Sequence, residues 1–284
     1  MKERSLHDQV RDTLKQLHFT PQRLLGQNFL CDSVVVKRIA AVRPLGEGDR
    51  LLEIGPGLGV LTEVLADTGA SVTGLELDDD LAAYLQAKFI LKENVSIVRT
   101  DALKFDCGSF AEGQAFRVYA NVPYSITTPL LKKLFTQGGN WRSLTLMLQK
   151  EAALRVVEGR GRSNGPLTML AHYYGECRLL FDVPPASFWP PPQVNSAVID
   201  IKRREQPPVA GDIDSIMSLV EAGFKERRKL LLNSLSAVTG YDRDYWKQGL
   251  AACGLDPGIR AEQLSLSDFA RLDSWHNYKK KTSN

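Results

Sequence analysis

Arg50-Leu51-Leu52-Glu53-Ile54-Gly55-Pro56-Gly57-Leu58-Gly59 is the stretch that decides the fold of this 284-residue chain. An apolar, β-rich run ends at Ile54. Glycines recur at 55, 57 and 59, and helical spacing follows. A buried strand that turns sharply into a helix is the opening unit of an α/β sheet. The glycines let the backbone approach a ligand closely, and the following helix start presents N–H groups that need partners.

Outward from this turn, β-rich runs alternate with helical patterns. Residues 50–55, 72–77, 95–98, 116–120 and 144–148 read as buried strands, and residues 81–92 and 129–135 carry helical spacing. That alternation predicts an α/β, mostly parallel, doubly wound sheet. Two later runs, 177–183 and 197–202, flank a proline-rich loop and fit an antiparallel finish to the sheet. After Arg204 the texture changes: Glu205-Gln206-Pro207-Pro208 reads as a linker, and only helical periodicity follows. The expected organisation is therefore a sheet domain over residues 1–205 and a small all-helical domain over 206–284.

Glu76 ends the second of these strands, 21 residues after Gly55. A carboxylate there accepts hydrogen bonds from both hydroxyls of a ribose. The same geometry serves nicotinamide dinucleotides, so the glycine turn alone does not choose a ligand. Two features favour S-adenosylmethionine. The spacing is G-P-G-x-G, with a rigid proline where a pyrophosphate would be wrapped. A second acid, Asp101, follows the third strand, where it can accept from an adenine amino group; the competing role for such a residue is a helix cap.

The fourth strand runs into Asn121-Val122-Pro123-Tyr124, at the carboxyl edge where open α/β sheets bind ligands. An adenine N6 lone pair is delocalised into the ring, which makes the amine a poor nucleophile. The Asn121 side-chain oxygen and the adjacent backbone carbonyl of Val122 are two acceptors for its N–H groups. Together they hold the amine against a sulfonium methyl, with Pro123 stiffening the turn and Tyr124 offering a face for the base. An isolated Asn-x-Pro turn has no such meaning; its place after the glycine turn and two spaced acids supplies it. No general base is required, and the four histidines (His7, His18, His172, His276) form no evident cluster with a nucleophile. Ser187-Phe188-Trp189-Pro190-Pro191-Pro192 adds a second aromatic platform on a stiff loop, Phe188 being the candidate to clamp a flipped base; the competing readings are a rigid connector for the prolines and a core position for Phe188 or Trp189.

Composition sets the bounds. With 43% hydrophobic and 24% charged residues the chain buries a sizeable core. No apolar run reaches a membrane-spanning length, and the charged N-terminus lacks the apolar core of a secretory signal, so a cytoplasmic protein without membrane association is expected. Cys31, Cys107, Cys177 and Cys253 are too far apart for ligand pairs or a disulfide framework, and no metal is expected. Net charge is only +3, but basic residues cluster at Lys202-Arg203-Arg204, at Lys225 with Arg227-Arg228-Lys229, around Arg155, Arg160 and Arg162, and at Lys279-Lys280-Lys281. Such patches permit nucleic-acid binding without establishing it.

Taken together, these motifs make the chain resemble the ribosomal RNA adenine N6-dimethyltransferases, in particular the bacterial small-subunit (16S) branch. The resemblance runs from about Arg23 to about Leu272. It rests on Leu25-Gly26-Gln27-Asn28-Phe29-Leu30, the glycine turn, Asn121-Val122-Pro123-Tyr124, Phe188-Trp189-Pro190-Pro191-Pro192-Gln193-Val194-Asn195-Ser196-Ala197-Val198, residues 224–235 (FKERRKLLLNSL) and Arg260-Ala261-Glu262-Gln263-Leu264-Ser265. It implies a Rossmann-like S-adenosylmethionine-dependent methyltransferase domain. It also implies that Asn28 and Leu30 join Gly55, Glu76, Asp101 and Asn121 around the methyl donor. The implied reaction is dimethylation of each of two adjacent adenines in a hairpin loop of small-subunit rRNA within an assembling subunit. Ser125 departs from the family's usual Asn in the Asn-Leu-Pro-Tyr-Asn-Ile pattern, residues 159–165 (GRGRSNG) depart from a proline- and tyrosine-containing segment, and Trp189 is larger than usual.

On a helical wheel Val220, Phe224, Leu231 and Leu235 form one stripe. Lys225 and Lys229 lie opposite it as phosphate candidates, and Arg227 near it reads as a packing residue. The helical domain is accordingly expected to grip RNA, with a monomer as the default state. The rival functions are methylation of large-subunit RNA, a binding-only ribosome assembly factor, and, third, a nicotinamide oxidoreductase.

Overall fold

The computed structural model describes residues 4–22, 26–159, 161–226 and 228–282, with only the backbone described at Ala111, Tyr124 and Arg162. Arg23 to Leu25, Arg160 and Arg227, and with Arg227 its expected packing role, lie outside the described residues.

Helix α1 (Leu6–Gln16), the short strand β1 (Phe29–Leu30) and α2 (Ser33–Ala40) precede the sheet. There follow β2 (Arg50–Ile54), α3 (Val60–Ala66), β3 (Ser71–Glu76), α4 (Asp79–Lys88), β4 (Val95–Arg99), β5 (Phe116–Asn121), α5 (Thr127–Gln137) and β6 (Trp141–Gln149). Helices α6 (Lys150–Glu158) and α7 (Pro166–Tyr174) lead to β7 (Gly175–Val183), β8 (Phe188–Trp189) and β9 (Ser196–Arg203). The chain ends in α8 (Ile213–Phe224), α9 (Leu231–Thr239), α10 (Arg243–Ala252) and α11 (Leu266–Thr282).

Seven strands form one sheet in the order β4-β3-β2-β5-β6-β9-β7. The β2, β3, β4, β5 and β6 pairings are parallel, and β9 runs antiparallel to β6, as the sequence led one to expect. β2 and β5 are neighbours inside the sheet, and from them successive strands depart to opposite sides. That switch point opens a crevice beyond the carboxyl ends of β2 and β5. Burial explains the apolar runs: Leu51, Leu52, Val118, Leu144, Leu146 and Leu148 are all wholly enclosed, because a central parallel strand has both faces covered. Trp141, also enclosed, satisfies its indole N–H on the Leu134 carbonyl at 2.9 Å.

Two differences from expectation concern helices. α4 stops at Lys88, and Phe89 caps it with its N–H on the Leu85 carbonyl, so Ile90 and Leu91 are exposed in a turn rather than continuing the helix. The stripe drawn from Val220 to Leu235 spans two helices. Leu230 is extended (φ −62°, ψ 144°), the N–H of Leu231 pairs with the Ile259 carbonyl, and the intervening turn exposes Lys225, Arg228 and Lys229. All four stripe residues are nonetheless buried.

The chain divides into two compact units, Met1–Ala153 with Cys177–Arg203, and Leu154–Glu176 with Arg204–Asn284. The second holds the C-terminal helices together with α7, a segment the sequence reading grouped with the sheet. Met169 of α7 packs into the helical core beside Ile216, Val220, Leu231, Trp246 and Phe269. The buried side-chain amide of Asn164, in the segment that departs from the family pattern, donates to the carbonyls of Glu262 and Leu264 at 3.2 and 2.8 Å. Proline and glycine mark a chain's turns, but the destination of a helical insertion depends on such distant partners.

Among the described residues no helix is long and apolar enough to cross a membrane, no group of side chains is arranged to hold a metal ion, and no disulfide joins any of the four cysteines.

Candidate active site

The glycine turn builds one wall of the crevice. Gly55, Gly57 and Gly59 have φ of 69°, 59° and 72°, the left-handed region in which a side chain is strained. Gly57 is also sterically constrained: a Cβ there would stand 3.1 Å from the Phe29 ring. Glu76, at the end of β3, reaches this turn and accepts from the N–H groups of Gly57 at 3.1 Å, Leu77 at 2.9 Å and Asp78 at 3.1 Å. Burial pushes its carboxyl above the ordinary range, and the three donors pull it back. Three of the about four acceptor positions on its two oxygens are thus taken, two on Oε1 and one on Oε2, and the remaining one on Oε2 is open to a ligand.

The opposite wall comes from the segment before the sheet. β1 pairs antiparallel with β8, Phe29 opposite Trp189 and Leu30 opposite Phe188. The Cys31 N–H donates to the Ser187 carbonyl at 2.8 Å, and the Ser187 hydroxyl to Asp32 at 2.9 Å. Asn121, at the end of β5, donates through Nδ2 to the Asn28 carbonyl at 3.1 Å. This one bond joins the pre-sheet segment to the strand carrying the Asn121-Val122-Pro123-Tyr124 turn.

Asn28, Leu30, Gly55, Glu76, Asn121 and Pro123 line one cavity. Val122 is buried beside it, its N–H on the Met147 carbonyl at 3.1 Å. Asp101 is not part of the wall: its Oδ1 accepts from the Leu103 N–H at 2.9 Å, the capping geometry weighed against it from sequence. Phe188 is not part of the wall either. It is 2% exposed and packs into the core with Leu30, Val35 and Val36. Trp189 beside it is half-buried, with the His7 ring edge-on at 5.5 Å. The side chain of Tyr124 lies outside the described residues; its backbone forms a short helical turn, Tyr124–Ile126, on which Ser125 is exposed.

Sequence reasoning missed Phe29, Leu58, Leu81 and Met147 as cavity wall, and gave no role to Glu53. For the apolar four no signal distinguished a pocket from a core. Glu53 did carry one: a charged residue inside an apolar central strand must be paired or functional. It is 2% exposed, and burial pushes its carboxyl up to about 7. Two carboxylates and no Lys, Arg or His, among the described residues, line the cavity. Such a field suits a positively charged nucleoside and opposes the pyrophosphate of a dinucleotide.

Comparison with known proteins agrees with this chemistry. The family model described as ribosomal RNA adenine dimethylase matches residues 19–277. A protein from Methylococcus capsulatus named ribosomal RNA small subunit methyltransferase A is 40% identical over 257 residues, covering 90% of this chain and 98% of its own. Its namesake from Moorella thermoacetica is 36% identical, with 91% and 93% covered. Among solved structures, the 23S rRNA methyltransferase ErmE superposes with a TM-score of 0.70 at 27% identity, over 88% of this chain and all of that one. A dimethyladenosine transferase from Plasmodium falciparum shares the fold, with a TM-score of 0.76 at 23% identity over 89% of this chain and 98% of its own. With its Rossmann-like sheet, its glycine turn and a family match over nearly its whole length, this chain belongs to the ribosomal RNA adenine dimethylase family.

Proposed function

We propose that this protein dimethylates the N6 amines of two adjacent adenines in a hairpin loop near the 3′ end of small-subunit (16S) rRNA, within an assembling ribosomal subunit. The observation that carries this reading is the Asn121–Asn28 bond in a cavity lined, among the described residues, by two carboxylates and no cation. S-adenosylmethionine supplies an electrophilic methyl group on a sulfonium. Glu76 is assigned to the ribose hydroxyls, Gly55 to close backbone approach, and Asn28 and Leu30 to the amino-acid side of the donor. Asp101, although outside the cavity wall with its Oδ1 on the Leu103 N–H, keeps Oδ2 and is assigned through it to the adenine edge.

With Nδ2 committed to Asn28, the Asn121 amide turns its Oδ1 toward a second partner, which we assign as the target amine. The Val122 carbonyl is assigned as the other acceptor. Two acceptors orient the amine and favour a localised lone pair, which is a positioning effect rather than base catalysis. Pro123 fixes the turn, Tyr124 stacks on the base, and Phe188, in the core opposite Leu30, acts by holding β1 in place rather than by touching the base. The helical domain over 206–284, with Lys225 and Lys229 on an exposed turn, is assigned to grip RNA. A cytoplasmic monomer is the working form.

The names of the curated relatives favour the small subunit, whereas ErmE acts on 23S rRNA. Labelled S-adenosylmethionine offered to undermethylated small and large subunits separates the two. Dimethyladenosine in the small subunit alone is expected; transfer only to large subunits, or binding without transfer to either, would overturn the proposal.

A further inference from the structure

Glu53 sits in the middle of the sheet, opposite Gly74 of β3 and Tyr119 of β5. It is nearly sealed from solvent and yet forms part of the cavity wall. Its Oε2 has no hydrogen-bond partner among the described residues. A buried acceptor left unpaired is costly, so its persistence calls for a partner that arrives with a ligand.

The surrounding charges are few. Glu76, from β3, is the second carboxylate of the cavity and repels a charge on Glu53. Thr62, from α3, lies close enough to favour the ionised form, but its Oγ1 likewise lacks a bond of normal geometry. Lys88, from α4, is the cation nearby, and it is shared: its Nζ donates to the Leu58 carbonyl at 3.2 Å and pairs with Glu63 at 3.0 Å. Glu76 is held by three backbone N–H donors, as described above. Glu53 has no such support, and burial keeps it poised at about 7.

This inference rests on the methyl donor proposed above. Donor and product differ by one charge, because loss of the methyl group turns a sulfonium cation into a neutral thioether. We propose that Glu53 is the residue through which the cavity distinguishes donor from product: it gives up its proton when the cationic donor binds and retains more of it when the neutral product binds. The paired result is a carboxylate opposite a cation in the donor complex and a neutral acid in the product complex. The affinity ratio of donor to product then rises with pH through neutrality. Each pH unit by which the two complexes differ in the titration of Glu53 is a tenfold change in that ratio.

The test is calorimetry of S-adenosylmethionine and S-adenosylhomocysteine binding at pH 7, in buffers of different ionisation enthalpy, which counts protons released. Wild type is expected to release a measurable fraction of a proton with the donor and less with the product. Glu53→Gln is expected to abolish the difference and to lower the donor-to-product affinity ratio by roughly tenfold. Equal proton counts for the two ligands in wild type, or a difference that survives in the Gln variant, would overturn the proposal. Should the variant fold poorly, the pH dependence of both wild-type affinities between about pH 5.5 and 8.5 decides instead, parallel curves refuting it. If wild type bound neither ligand, the donor reading itself would fall, and the Glu53 proposal with it.

Discussion

The Asn121 side-chain amide and the Asn28 backbone carbonyl, 93 positions apart in sequence, meet at 3.1 Å. Through this bond the segment before the sheet fixes the orientation of the side chain that ends β5. Replacing Asn121 by Ala removes both the link and the acceptor proposed for the target amine. Methyl transfer should fall on the order of 10²-fold, the scale of a misplaced reacting group. Asn121→Asp, which keeps acceptors but cannot donate to Asn28, should also be impaired. Single-turnover transfer of labelled methyl, with donor affinity measured alongside, separates lost chemistry from lost binding.

Glu76 accepts from three backbone N–H groups and is also the residue assigned to the donor's ribose. Glu76→Gln should weaken donor affinity by roughly 10- to 100-fold, since hydrogen bonds to a charged group contribute about 1.5–3 kcal/mol. Titration calorimetry reads this directly, and an unchanged affinity would contradict the assignment.

Gly59 combines a left-handed backbone with no spare room. A Cβ there would lie 2.7 Å from Leu85 Cδ2 and from the Phe89 ring. Gly59→Ala should therefore destabilise the sheet unit by about 2–4 kcal/mol, adding left-handed strain to overpacking. Denaturant unfolding measures it.

Glu53 makes stability depend on pH in a defined direction. Its folded value, about 7, lies above the ordinary 4.5, so the folded state favours the protonated acid. The stabilisation is complete below about pH 4.5 and is lost as pH rises through about 7, a change on the order of 3 kcal/mol. Without ligand, Glu53→Gln should gain stability relative to wild type between pH 5 and pH 8. Urea unfolding of both proteins across that range checks the sign.

Lys225 and Lys229 stand exposed on the turn between α8 and α9. Replacing both with Ala should weaken RNA binding at all sequences and reduce the slope of log affinity against log salt by roughly 1–2. Filter binding at several salt concentrations, with deletion of residues 206–284 for comparison, tests whether the helical domain contacts phosphates.

The inner strands of the main sheet were legible because burial on both faces forces continuous apolar runs, as in Leu144 to Leu148, whereas the edge strands β4 and β7, largely half-buried or exposed, were legible from their β-rich composition and their place in the alternation. Gly55, Glu76 and Asn121 were legible because each ends or follows such a strand, and the carboxyl edge of an α/β sheet is where ligands gather. Helix ends were less so. The chain leaves α4 at Phe89 through capping and enters α9 after Leu230 with the Leu231 N–H on a distant carbonyl at Ile259, and neither appears in periodicity.

The sequence by itself determined the sheet, the order of its motifs and the chemical character of the site, because hydrophobic period, glycine spacing and acid placement are local properties of the chain. Tertiary structure alone decided that Asn28 meets Asn121, that Phe29 and Leu30 form a ribbon with Phe188 and Trp189, and that Phe188 is sealed in the core while Asp101 caps a turn. It also decided that Asn164 fastens its segment to the C-terminal helices, and that Glu53 faces a cavity with one oxygen unpaired. Each of these depends on which surfaces meet across long stretches of chain, and a residue's partners there are set by packing rather than by its neighbours in sequence.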